Sequence, residues 1–356
     1  MKIAIQANGG IQIGMGHIMR TLVLAKELSK YNEVFYMCRV ENKGDCSESY
    51  IKDNSCEVTS LEQLVEYNIS YSKYIQGIEK ILCEGFKLTL LNEDNLIDAL
   101  KDIKADLLIT DSYSVNEKYF EETKKIFNKT AYIDDMNKYY FNIDFLINQN
   151  CDAEDFHYKV NHDTKLILGA DYILLRGEFK NLNKKDIKNK AYDIMITVGG
   201  ADPYNITKRI LYYISELDYN FHVVIGPSFE DTSFVKSFKN DKIKFYYNAD
   251  MCEIMKKCDI AISACGSTLY ELSACGIPTL GIIIADNQQG IANKLDNMGI
   301  IKNLGWYDKI SKEDLINNID ILTNDYILRK SLSEKASKLV DGKGAERIAK
   351  VLCEDI

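Results

Sequence analysis

The ten cysteines of this 356-residue chain include no C-x-x-C pair, and only four histidines accompany them. Zinc and iron–sulfur centres need ligands at short fixed spacings, so this sparse pattern argues against a metal site or a metal cofactor. There is no basic block either; the net charge is −9 and is spread along the chain. A nucleic-acid surface would need clustered Lys and Arg, which excludes that class of partner. An anionic small ligand stays compatible, because backbone N–H groups and helix dipoles hold anions without cations. No signal-peptide apolar region is present: Met1-Lys2-Ile3-Ala4-Ile5 runs straight into a glycine loop. Disulfides are therefore not expected, and a cytoplasmic location is. Long apolar runs are missing too. The most apolar stretch, Cys258 to Asp286, is broken by Glu271, Gly276 and Pro278. It reads as strand, helix, strand, not as stable membrane insertion.

What is present is the composition of a globular protein, 46% hydrophobic and 27% charged, at a length that suits two domains. Short Ile/Leu/Val runs alternate with longer amphipathic stretches, the signature of β-α units around buried parallel strands. Strands are expected at Lys2–Gln6, Glu33–Cys38, Asp106–Thr110, Lys129–Ile133 and Phe145–Asn148. A second set follows at Asp193–Val198, Phe221–Ile225, Lys244–Tyr247, Ile260–Ser263 and Thr279–Ile284. The polar run Asn181–Asp186 between the sets reads as a linker. The expectation is a first domain over 1–180, a second over 190–340, and a terminal helix over 341–356 that packs back on the first. The stretch from about Glu41 to Asn92 fits the pattern poorly and reads as a helical insertion. Two such doubly wound halves facing across a cleft would place ligands at the strand C-termini.

Three glycine turns stand at strand-to-helix junctions. In Ile13-Gly14-Met15-Gly16-His17-Ile18-Met19-Arg20, Ile18, Leu22, Ala25 and Leu28 fall at helical spacing, so His17 opens a helix. Glycines let backbone approach a ligand closely. The positive dipole end would keep the imidazole neutral and available as a base. A histidine that only caps the turn fits the spacing equally well. Val198-Gly199-Gly200-Ala201-Asp202-Pro203 reads as strand, turn, then Pro in the first helical turn; it is either a phosphate cradle or a tight connection. In Ala264-Cys265-Gly266-Ser267-Thr268-Leu269-Tyr270-Glu271, the Gly266, Ser267 and Thr268 groups suit a diphosphate, and Glu271 suits ribose hydroxyls. The plain alternative is Ser/Thr capping with a Glu in the first turn. Asp286-Asn287-Gln288-Gln289 is a polar loop after the next strand. Asp134 and Asp135 leave a strand together; paired carboxylates can do acid–base work, but two adjacent acids at a strand end read more simply as turn formers. Tyr113 follows Asp111 at another strand end. His157, His162 and His222 have no partner spacing and read as structural.

Taken together these motifs resemble the UDP-2,4-diacetamido-2,4,6-trideoxy-β-L-altropyranose hydrolases of pseudaminic acid biosynthesis. That family is related to the SpsG-type proteins of spore-coat polysaccharide biosynthesis. The resemblance starts in Gln12–Leu22 and continues through Ile109–Tyr113, Ile133–Asp135, Ile147–Asn150, Leu174–Phe179 and Gly199–Pro203. It ends in Asn303–Trp306 and Asp341–Arg347. It implies a GT-B fold similar to the UDP-N-acetylglucosamine transferase of peptidoglycan synthesis, with UDP held mainly by the second domain. Gly14, Gly16 and Gly200 fall in its loops. Ser267, Thr268 and Glu271 match its diphosphate and ribose contacts, Asn287 and Gln288 a polar loop by the sugar, and Tyr113 a position near the sugar. His17 matches its catalytic base. The implied reaction is metal-independent, inverting hydrolysis of a UDP-sugar at C1, with no cofactor. The alternatives are a GT-B glycosyltransferase and a non-catalytic UDP-sugar-binding protein. One departure stands beside the His17 loop: the family usually has Arg and Asp where this chain has Gln6 and Asn8.

Overall fold

The computed structural model describes residues 1–10, 13–41, 55–67, 69–238 and 240–354. It holds two compact units, Met1–Leu174 together with the segment from Gly344 onward, and Leu175–Lys343. The polar run 181–186 therefore belongs to the second unit and does not join the two.

The first unit is built on an eight-stranded sheet. Its strands are β1 (Lys2–Ala7), β2 (Glu33–Val40), β3 (Ser55–Val58), β4 (Lys87–Asn92), β5 (Leu107–Asp111) and β6 (Lys129–Ile133). A short parallel ribbon pairs β7 (Tyr140–Phe141) with β9 (Lys159–Val160), and the sheet is completed by β8 (Phe145–Asn148) and β10 (Lys165–Leu168). The order is β10-β8-β6-β5-β1-β2-β4-β3, parallel throughout except for β3. Helices α1 (Gly16–Leu28), α2 (Leu61–Glu66), α3 (Ile75–Cys83), α4 (Leu96–Lys101) and α5 (Glu117–Ile126) supply the covering layers.

Strand parity decides what each face receives. Ile3 and Ile5 of β1, Leu107 and Ile109 of β5, and Ala131 and Ile133 of β6 pack with Leu22 of α1 and Ile78 of α3. The intervening Ala4, Leu108 and Tyr132 pack with Leu100 of α4 and Phe120 of α5. The stretch 41–92 is thus not a helical insertion. Its β4 pairs in parallel with β2 and buries five of six positions, and α3 is the connecting helix. The apolar run Leu88-Thr89-Leu90-Leu91 is short and flanked by Lys87 and Glu93, which hid it. Residues 42–54 and 68 of this stretch lie outside the described residues.

The second unit carries β11 (Asp193–Thr197), β12 (Asn220–Ile225), β13 (Ile243–Tyr247), β14 (Ile260–Ala264), β15 (Thr279–Ile283) and β16 (Ile301–Trp306). All are parallel, in the order β13-β12-β11-β14-β15-β16. The doubly wound plan has its switch point between β11 and β14. Its helices are α6 (Ile206–Ile214), α7 (Met251–Lys257), α8 (Thr268–Ala274), α9 (Gln289–Asn297), α10 (Lys312–Asn324) and α11 (Tyr326–Leu339). The buried Arg329 guanidinium donates to the carbonyls of Leu322 and Thr323 at the end of α10, and to those of Lys188 and Asn189. It satisfies carbonyls that a helix end leaves open while fixing the segment that leads into β11. The last helix, α12 (Gly344–Glu354), packs in the first unit against α1 and the turn at Ala170–Tyr172. Among the described residues no helix is long and apolar enough to cross a membrane.

Candidate functional site

In the first unit the switch point lies between β1 and β5, and the loop after β1 feeds α1. The loop is closed by a pair of backbone hydrogen bonds, Gly10 N–H to Gly14 O (3.1 Å) and Gly14 N–H to Gly10 O (2.8 Å). Gly14 takes φ +74°, which glycine adopts without a Cβ penalty. The loop is also braced from outside. Gly77 of α3 donates its N–H to Gly9 O at 3.2 Å, and a Cβ on Gly77 would come within 2.7 Å of that oxygen. Met15 is the N-cap of α1, so His17 does not cap the turn.

His17 is committed to a carboxylate. Its Nδ1 lies 2.6 Å from Asp111 Oδ1, at the end of β5, and both residues are buried. By parity Asp111 shares the α1 face with Leu107 and Ile109. Arg20, one turn after His17, grips the same carboxylate with Nε to Oδ2 and a terminal nitrogen to Oδ1, both at 2.6 Å. Its other terminal nitrogen donates to Asp135 Oδ2 at 3.1 Å, and the Tyr113 hydroxyl donates to that oxygen at 2.7 Å. The Tyr113 ring stands edge-on to His17, with centroids 4.5 Å apart. Burial would raise the Asp111 pKa, but Arg20 and His17 outweigh it and hold the group at about 2. Burial works against the Arg20 cation, and Asp111 and Asp135 more than restore it. Burial and the Asp135 carboxylate push the Tyr113 phenol up, so it stays a donor.

The chemistry follows from these contacts. An ionised carboxylate only accepts hydrogen bonds, so Asp111 places the proton on Nδ1 and leaves the lone pair on Nε2. Among the described residues Nε2 has no hydrogen-bond partner. Two carboxylates face one guanidinium in the cluster, an excess of one negative charge before the imidazole is counted. Arg20, Asp111 and Asp135 were not singled out as site residues from sequence. Arg20 had a local signal, three residues after His17 on one helix face. Adjacent Asp134 and Asp135 leave β6 toward opposite faces. Asp134 is a turn former, accepting the N–H groups of Met136 (3.0 Å) and Asn137 (2.7 Å) and the Tyr158 hydroxyl; Asp135 joins the cluster.

Gln6 and Asn8 take no part in it. Gln6 accepts from the Tyr119 hydroxyl of α5, and Asn8 exchanges hydrogen bonds with Arg39, whose guanidinium also reaches Ser112. Both are buried.

In the second unit the glycine turns meet at the ends of β11 and β14. Gly199 has φ +104°. Gly226, after β12, packs so tightly on the carbonyls of Gly199 and Gly200 that a Cβ there would clash with backbone. Gly226 is a further residue that sequence reasoning missed. Asp202 caps α6 through the N–H groups of Ile206 (2.7 Å) and Thr207 (2.8 Å). The helix therefore starts beyond Pro203, which precedes it instead of sitting in its first turn. At the other turn Ser267 makes no side-chain capping bond and is exposed. Gln288 lies against it, its Nε2 3.6 Å from where a Cβ of Gly266 would be, and its Oε1 accepts from Ile284 N–H at 3.1 Å. Asn287 sits beside it in the 3-10 turn Asp286–Gln288. Glu271 pairs with Arg176 at 2.6 Å. Burial raises its pKa, and Arg176 offsets only part of that.

Two GT-like sheets with loops at their switch points define a GT-B protein, and comparison with known proteins agrees. Over its full length the chain superposes on the crystal structure of MurG from Acinetobacter baumannii, with TM-score 0.59 at 13% identity and 99% of that chain covered. Residues 194–351 match the glycosyltransferase family 28 C-terminal domain. The spore coat polysaccharide biosynthesis protein SpsG of Bacillus subtilis is 27% identical over 99% of this chain and 98% of its own. An uncharacterized protein of Methanocaldococcus jannaschii is 30% identical over 79% of this chain, which spans 55% of that relative's length. The UDP-2,4-diacetamido-2,4,6-trideoxy-β-L-altropyranose hydrolase of Campylobacter jejuni is 25% identical over 84% of this chain and 97% of its own. In sequence the chain is SpsG-like and similar to these hydrolases.

Proposed function

We propose that this protein hydrolyses a UDP-linked 2,4-diacetamido-2,4,6-trideoxy sugar at C1, in nonulosonic acid or polysaccharide biosynthesis. The observation that carries the reading is the His17–Asp111 pair, which leaves Nε2 as a base held in one tautomer. In this reading His17 takes a proton from water as the water oxygen bonds to C1. The C1–O bond to UDP breaks on the opposite face, and UDP leaves with the bonding electrons. The product sugar is inverted. General-base help of this kind contributes about 10²- to 10⁴-fold. Positive charge develops on the imidazole and on the oxocarbenium-like sugar, and a cluster whose carboxylates outnumber its guanidinium stabilises both. The second unit supplies the nucleotide contacts: the Gly266–Thr268 turn for the diphosphate and Glu271 for the ribose.

A glycosyltransferase of the same fold is the second reading, favoured by the family 28 match over 194–351. It differs in putting an acceptor hydroxyl where water stands. The test is incubation with UDP-diacetamido-trideoxy sugars in EDTA, without acceptor. UDP and free sugar appearing together support hydrolysis. UDP appearing only when an acceptor is added hands the site to the transferase reading.

A further inference from the structure

The polar run 181–186, expected from sequence to be a linker, instead rims an open cavity of about 590 Å³ that lies wholly within the second unit. The cavity gathers Lys184, Lys185 and Lys188 from the segment before β11, and Lys256 and Lys257 from the last turn of α7. Two carboxylates, Asp186 and Asp259, face these five ammonium groups, on a chain whose net charge is −9. Asp259 is already engaged. It accepts the N–H groups of Tyr192 (2.9 Å) and Asp193 (3.1 Å) and pairs with Lys188 at 2.8 Å. Lys256 pairs with Glu253 outside the cavity at 3.0 Å. Lys184 and Lys257 are exposed and have no acidic partner among the described residues. Lys185 is partly buried, and its Nζ donates to the Lys256 carbonyl at 3.0 Å, which serves the end of α7. Burial draws the Lys185 pKa down, and Asp259 pulls the other way.

We infer that this cavity is a second anion site, which takes the phosphate group of a small phosphorylated molecule. Five lysines against Asp186, Asp259 and Glu253 leave an excess of two positive charges. The end of α7 offsets about half a charge of that. The remainder matches one phosphate group, which carries about −1.5 to −2 at neutral pH. Among the described residues no arginine lines the cavity. Lysines act as separate point charges that suit an anion with several oxygens, whereas a carboxylate is gripped best by a guanidinium fork. The volume exceeds what a bare phosphate fills and falls in the range of small-molecule sites, so room remains for an organic body. The place is not that of the glycine turns. Lys188 leads into β11 and Asp259 precedes β14, while the turns follow those strands. Five residues of strand, about 16 Å, separate the two ends. This site stands whether or not the UDP-sugar reading holds.

Isothermal titration of the full chain with inorganic phosphate and with glucose 6-phosphate tests this, at low salt because exposed charges are screened. Saturable binding is expected, with a dissociation constant of about 0.1–1 mM. Lys184→Gln/Lys257→Gln removes two exposed ammonium groups and should weaken both ligands by on the order of 10-fold, the scale of a hydrogen bond to a charged group. Lys236→Gln/Lys312→Gln makes the same charge change at exposed lysines outside the cavity. It should move the affinity by less than about 2-fold, since distant exposed charges are screened. Gly226→Ala, which presses on the Gly199 and Gly200 carbonyls at the other end of the sheet, should leave the affinity unchanged. In the wild-type protein, phosphate should slow acetylation of Lys184, Lys185 and Lys257 by acetic anhydride, read by mass spectrometry, and spare Lys236 and Lys312. Tighter binding of the sugar phosphate supports the site with an organic phosphate as its ligand, and equal binding supports it with the phosphate group alone. Absence of saturable binding, or an equal loss in the two double variants, overturns the inference. A loss in Gly226→Ala as large as that in Lys184→Gln/Lys257→Gln also overturns it, by moving the phosphate to the glycine turns.

Discussion

In the first unit the candidate site is a cluster of side chains drawn from α1 and the ends of β5 and β6, joined by charge: His17, Arg20, Asp111, Tyr113 and Asp135. In the second unit it is mostly backbone, with the glycine turn after β11 packed against Gly226, the turn after β14 lying by Gln288, and few charges beyond the Arg176–Glu271 pair. The contrast fits a division of labour. Proton transfer needs a group of fixed tautomer and placement, which carboxylates and a guanidinium provide. Holding a diphosphate needs N–H groups brought close, which glycines allow.

The largest effect expected from breaking this division lies in the first unit. His17→Asn should lower the turnover number by about 10²- to 10⁴-fold with UDP affinity retained. Asp111→Asn, which frees the imidazole to adopt the wrong tautomer, should cost on the order of 10³–10⁴-fold. Stopped assays of UDP release and isothermal titration with UDP check both. Turnover at the wild-type rate in either variant would remove the pair from the mechanism.

Next come two glycines that act through backbone, one in each unit. Gly77→Ala presses on the Gly9 carbonyl and shifts the loop that leads to His17. A displacement of this kind is worth about 10- to 100-fold in kcat, with the dissociation constant for UDP unmoved. Gly226→Ala presses on the Gly199 and Gly200 carbonyls, and should weaken UDP binding about 10-fold, or about 1.4 kcal/mol, with kcat at saturation little changed. Steady-state kinetics over a range of substrate, set beside UDP titrations, separates the two. If both variants change the same constant, the division between base and nucleotide contacts is wrong.

The last expected effect falls on stability against pH and not on turnover or binding, and is read by denaturant unfolding. Asp111 is held below its ordinary pKa in the fold, so its contribution is complete above about pH 4 and disappears as pH falls toward 2. Its size is on the order of 2 kcal/mol. The stability gap between wild type and Asp111→Asn should hold from pH 7 to 4 and shrink below that. Asp134 runs the other way: burial raises its pKa, so its cost at neutral pH is relieved on mild acidification. Asp134→Asn should therefore gain least, relative to wild type, near pH 4. A gap for Asp111→Asn that widens on acidification would reverse the assignment.

How much of this was legible in the sequence follows the same contrast. The glycine turns were found because each is a local string at a strand end, and all ten expected strands are present with ends shifted by a residue or two. His17 was found as a candidate, while spacing alone could not separate a base from a cap. Its partner was not found, because Asp111 lies 94 residues away and only the sheet brings the two together. Alternation along β5 and β6 did contain the clue, since Asp111 and Asp135 continue the parity of Ile109 and Ile133. Gln6 and Asn8 show the opposite: near His17 in sequence, they bond away from it, to Tyr119 and Arg39. The strand β4 was lost inside a stretch whose charged flanks masked its short apolar run.

The path of the chain has a consequence for dissecting the protein. The second unit is threaded into the first, leaving it after Leu174 and returning at Gly344. A Cβ on Gly344 would collide with the Ile173 carbonyl, so departure and return touch. Such adjacent ends are where domain insertion is tolerated. Excising 175–343 and joining the ends through a short Gly/Ser bridge should leave a chain that keeps β1 to β10 and α12, and with them the whole cluster of His17, Arg20, Asp111, Tyr113 and Asp135. A simple truncation at residue 174 would instead strip Ile348 and Leu352 of α12 from the core of that same unit. The unit that carries His17 can thus be obtained alone only by a cut-and-splice, never by a stop codon.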